Sequence, residues 1–84
     1  MREQDLLDVR LMPYDEREPD GPTLLYMYVA IRDRNVAPAR EALEWFKENG
    51  IPTTLLRNSD SVRIYSEPVT DPDLILLFKM KWLS

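Results

Sequence analysis

Residues 24–31 read Leu-Leu-Tyr-Met-Tyr-Val-Ala-Ile, and residues 75–82 read Ile-Leu-Leu-Phe-Lys-Met-Lys-Trp. Side chains along a strand point alternately to its two faces. In the first run Leu25, Met27, Val29 and Ile31 therefore share a purely apolar face, against Leu24, Tyr26, Tyr28 and Ala30. In the second, Leu76, Phe78, Met80 and Trp82 do the same, against Ile75, Leu77, Lys79 and Lys81. The apolar faces read as core. The opposite faces mix tyrosine, aliphatic and lysine side chains, which suits neither a core nor an ordinary solvated surface. The two runs predict a sheet with one covered face and one face available to a partner.

Working outward, Leu7, Val9 and Leu11 alternate with Asp8, Arg10 and Met12, which predicts an edge strand over about residues 6–12. Residues 13–22 (PYDEREPDGP) hold three prolines, a charged run and Asp20-Gly21, the composition of a loop. From Pro38 onward, Ala39, Ala42, Leu43 and Phe46 fall at i, i+3, i+4 and i+7, an amphipathic helix that Gly50 and Pro52 end. Two short strands, 53–57 and 62–67, flank the turn formers Asn58-Ser59-Asp60-Ser61. In the second of them Val62 and Ile64 look inward, while Arg63 and Tyr65 look outward. A connector over 68–73 has room for one helical turn at Thr70 or Asp71, with Pro72 in first position. The expected fold is a single α+β domain over residues 1–84 in the order β-β-α-β-β-β. One amphipathic helix lies on a mostly antiparallel sheet. The alternative is a ferredoxin-like fold whose second helix has shrunk to the turn over 70–74.

The composition narrows the chemistry. The 84 residues contain no cysteine and no histidine, which removes disulfides, thiolate catalysis and the commonest general base and metal ligands. No serine or threonine has a plausible base beside it, so nucleophilic catalysis has no support and no cofactor is implied. No run approaches the roughly 20 apolar residues of a membrane span. Met1 to Arg10 has no apolar stretch with a basic flank, so a cytoplasmic location is expected. Residues 1–22 carry three arginines against seven acidic residues and hold the whole net charge of −4. Such a field disfavours a duplex DNA backbone.

The outward sheet face gathers the candidate site: Tyr26, Tyr28, Arg63, Tyr65, Leu77, Lys79 and Lys81. Three tyrosines with aliphatic neighbours match the roughly 300–600 Å² of the largest apolar patch on a typical monomer. A protein partner, or a second copy forming a homodimer, is the first expectation. Bases of a single-stranded nucleic acid, or a nucleotide, stacking on the same face are the second. Asp15, Glu16, Glu18 and Asp20 offer a secondary acidic contact, but Arg17 and Pro19 break the regular ligand spacing of a calcium loop. Glu41, Glu44 and Glu48 read as a solvated helix flank. Arg32, Arg34 and Arg40 cluster at the strand-to-helix junction without a glycine-rich loop to hold an anion.

The run Glu44-Trp45-Phe46-Lys47-Glu48-Asn49, followed by Asp73-Leu74 and Leu77-Phe78-Lys79-Met80-Lys81-Trp82, resembles small uncharacterised bacteriophage proteins. Those carry a Trp-x-x-Glu-Asn helix and end in an aspartate turn and a Phe-Lys-x-Lys/Arg-Trp strand. The resemblance covers residues 41–82 and transfers no site residue. It implies a viral accessory protein in the host cytoplasm, inhibiting a host protein. The expectation is a small non-enzymatic protein-interaction module.

Overall fold

The computed structural model describes residues 7–83. Strands β1 (Leu7–Pro13) and β2 (Thr23–Ala30) form an antiparallel hairpin, and helix α1 (Ala37–Glu48) follows. A second hairpin joins β3 (Thr53–Arg57) and β4 (Ser61–Ser66), and helix α2 (Pro72–Phe78) comes last. The hairpins meet antiparallel through β2 and β4, giving one four-stranded sheet in the order β1-β2-β4-β3. Each ββα unit thus places its second strand in the middle and its first at an edge. The strand expected over 6–12 is β1; Leu6 lies outside the described residues.

Register follows the alternation. Val9, Met27 and Ile64 stand side by side across the sheet, as do Leu7, Val29 and Val62, while Leu11 faces Leu25. This apolar face packs against Ala39, Ala42 and Phe46 of α1, all buried. Asn49 caps the helix through Nδ2, which donates to the Trp45 carbonyl at 2.8 Å. Gly50 then takes φ +68°, the left-handed value that lets the chain turn off the helix axis. Leu55 and Leu56, adjacent in β3, fall on opposite faces and both remain exposed, because β3 is an edge.

The two-layer α+β class stands, but the order is β-β-α-β-β-α. The strand expected over 75–82 is absent: the chain is helical from Pro72 to Phe78 and continues as a π-helical turn over Lys79–Leu83. Asp71 caps α2 by accepting from the Asp73 N–H at 2.9 Å, and Pro72 occupies its first turn. The inward set changes accordingly. Phe78 is fully buried, and Leu74, Ile75 and Trp82 pack against the core at helical spacing. Leu76 and Met80, expected in the core, are exposed.

Geometry explains why a second helix is needed. Four strands about 4.8 Å apart span roughly 19 Å, whereas a helix is about 10 Å wide with its side chains. α1 alone leaves half of the apolar face wet, and α2 covers the remainder. The helices meet in an aromatic cluster: Trp45 and Phe46 lie 5.8 and 5.9 Å from Phe78, ring centre to ring centre, and Trp45 lies 6.4 Å from Trp82. β2 and β3 run parallel with β4 between them, the split β-α-β arrangement of ferredoxin-like folds. Moving the last strand of the β-α-β-β-α-β order to the front yields the order found here. The ferredoxin-like alternative is met in permuted form, and its second helix is more than a turn.

One polar atom in this cluster is unmatched. The Trp82 indole N–H is buried with no acceptor, an arrangement that costs about 1–3 kcal/mol. Trp82→Phe removes the donor and keeps most of the ring, so its urea midpoint should shift by less than about 1 kcal/mol equivalent, in either direction. Trp82→Ala should cost about 3 kcal/mol. Equal losses in the two variants would mean that the indole N–H is bonded in solution.

Candidate binding face

Both helices lie on the face of Leu25, Met27 and Val29. The other face is set out in rows by the register. Arg10, Tyr26, Tyr65 and Thr54 stand in one row, and Asp8, Tyr28, Arg63 and Leu56 in the next. Tyr26 and Tyr65 are neighbours with ring centres 5.1 Å apart and planes tilted by 60°. The Arg63 guanidinium lies 5.9 Å from the centre of the Tyr28 ring, within cation–π reach. All three tyrosines are half-buried by these cross-strand contacts, so their rings are held rather than free to swing. Four of the sequence-predicted site residues, Tyr26, Tyr28, Arg63 and Tyr65, therefore come together.

Leu77, Lys79 and Lys81 do not join them. They belong to α2 and the π-helical turn, in the opposite layer. Lys81 is engaged there, with its Nζ 3.6 Å from Glu41 and 5.3 Å from the centre of the Trp82 ring. Their removal leaves the tyrosine face with Arg10 and Arg63 as its cations, and Arg10 is paired with Asp8 at 3.0 Å. The face is nearly neutral and rich in aromatic and guanidinium groups, a composition common in protein-binding hot spots.

The acidic loop is built rather than slack. The Tyr14 N–H donates to the Pro22 carbonyl, the Glu18 N–H to Asp15 and the Gly21 N–H to Glu18, each at 2.9 Å. A Cβ on Gly21 would stand 3.1 Å from the Glu18 carbonyl oxygen, which makes glycine the fitting residue there. The Arg17 backbone N–H, 2.9 Å from Asp15 Oδ1, and then its side chain hold the Asp15 carboxyl below its ordinary range. Glu16, Glu18 and Asp20 are exposed. Pro19 borders the same depression as Ile75 and Lys79, which places the loop tip beside α2 and away from the tyrosines. Among the described residues no three acidic side chains converge as a metal site. None of the described helices is long and apolar enough to cross a membrane.

A second exposed apolar surface went unread in the sequence: Leu76, Leu77 and Met80 on α2 and its extension, with Leu83 beyond. The signal was present as Asp71-Pro72, a helix start immediately before the apolar run. In comparisons with known proteins, no family model, no curated protein and no solved structure matches this chain.

Proposed function

We propose that this chain is a small non-enzymatic protein-interaction module that captures a partner protein through the sheet face of Tyr26, Tyr28, Arg63 and Tyr65. The observation that carries the reading is the gathering of three tyrosines and an arginine, braced as the pairs Tyr26–Tyr65 and Tyr28–Arg63, on the face that neither helix covers. Side chains already held in place lose little entropy on binding, which is what makes tyrosine an efficient anchor. The resemblance to small phage proteins directs the search for the partner to host proteins, with inhibition as the outcome of capture.

Single-stranded nucleic acid on the same face is the weaker reading, because its phosphates need cations beside the stacked bases and Lys79 and Lys81 lie in the other layer. The two readings separate experimentally. Tyr28→Glu should keep the far-ultraviolet circular dichroism of the parent and lower partner capture at least about tenfold, since an unpaired charge in a dry contact is costly. An oligo-dT probe at low salt should bind neither protein measurably. Micromolar oligonucleotide binding that Tyr28→Glu abolishes and salt weakens steeply would replace this reading with the nucleic-acid one.

A further inference from the structure

We propose that the outer face of α2 is a self-association surface, on which two copies of this chain pack their C-terminal helices antiparallel. Leu76, Leu77, Met80 and Leu83 are 54, 46, 63 and 47% exposed, four of the seven exposed large hydrophobics among the described residues. They sit within eight consecutive residues. A patch of this kind is comparable to the roughly 300–600 Å² of the largest apolar patch on an ordinary monomer.

The charges around the patch say what covers it. Asp73 stands in the first turn of the helix and Lys79 follows Phe78 at the other end, while Asp71 caps the helix and Lys81 is engaged with Glu41. A helix with acid at its start, base at its finish and leucines between them is complementary to itself when reversed. A two-fold axis near Leu76 and Leu77 sets the acidic end of each copy against the basic end of the other. Leu76 and Leu77 then meet their counterparts at the axis, Met80 of each copy lies beside Asp73 of the other, and the helix dipoles oppose. Such a contact buries most of the patch on both copies, about 800 Å² in all, below the roughly 1,200 Å² where stable specific interfaces begin, so the dimer is weak and transient. α2 lies opposite the tyrosines, so the pairing leaves both tyrosine faces open and makes the dimer bivalent. The dimer stands on the α2 observations alone, whether or not the tyrosine face binds a partner.

Sedimentation of the full chain between about 5 and about 500 µM tests this, with an expected dissociation constant on the order of 10–100 µM. Met80→Glu should weaken the dimer at least about tenfold with an unchanged circular dichroism spectrum. Asp73→Lys and Lys79→Glu alter no buried side chain, and each should weaken it a few-fold, about threefold or more. The combined variant, Asp73→Lys with Lys79→Glu, restores complementarity and should recover most of the loss. Recovery cannot come from damaged folding, so the charge series decides even if Met80→Glu misfolds. A chain that stays monomeric throughout, a dimer that survives Met80→Glu, or single charge variants without effect would each overturn the proposal. A dimer lost on Tyr28→Glu and retained in Met80→Glu would instead place the contact on the sheet.

Discussion

Phe78→Ala should leave the chain unfolded or barely folded at about 37 °C. Phe78 has no exposed surface and packs against Trp45 and Phe46, the contact through which α2 grips α1. Removing a buried phenyl ring costs about 3–5 kcal/mol, against a total of about 5–15 kcal/mol for a domain. A chain this small sits at the lower end of that range. Calorimetry would show the transition displaced by tens of degrees or lost. Leu76→Ala, two residues away and exposed, should change stability by less than about 0.5 kcal/mol. The contrast also distinguishes helix from strand, because a strand would place Leu76 and Phe78 on one buried face. Similar losses in the two variants would contradict the helical assignment.

Ser66→Ala should cost about 1–3 kcal/mol although it deletes a single oxygen. The β2–β4 pairing runs from Tyr26–Tyr65 to Ala30–Ser61 and stops short of Leu25. The Leu25 N–H instead donates to Ser66 Oγ at 2.8 Å in a buried site, and the hydroxyl donates onward to the Glu67 carbonyl at 2.8 Å. Alanine leaves the amide without its acceptor and without water to replace it. Ser59→Ala, in the exposed turn between β3 and β4, should be neutral within about 0.5 kcal/mol. Chemical denaturation of the two variants separates a buried bond from a general loss of serine. Equal midpoints would mean that the Leu25 amide finds another acceptor.

The candidate face was half legible. Tyr26 and Tyr28 could be placed from alternation in β2, and Arg63 and Tyr65 from alternation in β4, because both strands carry uninterrupted inward sets. Which of these side chains would be neighbours was not local information. It depends on β2 pairing with β4, which brings Tyr26 against Tyr65 and Tyr28 against Arg63. Leu77, Lys79 and Lys81 were misplaced for a related reason. Their assignment assumed a fifth strand, and the apolar run that suggested it is equally a helix face.

The local code settled α1 and its end at Gly50, the inward faces of β2 and β4, and the loop over residues 13–22. Each rests on periodicity or turn chemistry within a dozen residues, and such signals act before any distant contact forms. Residues 75–82 are ambiguous on the same terms. Phe78 and Trp82 are inward in either geometry, and leucine, methionine and lysine favour helix while their spacing imitates strand alternation. The deciding facts were tertiary. The two hairpins join through β2 and β4 into a sheet too wide for α1 to cover, so the last apolar segment is most stable lying across the uncovered half of that face. As a helix started by Asp71 and Pro72 it satisfies its own backbone there while burying Phe78. That choice moved two lysines and a leucine from one layer of the molecule to the other.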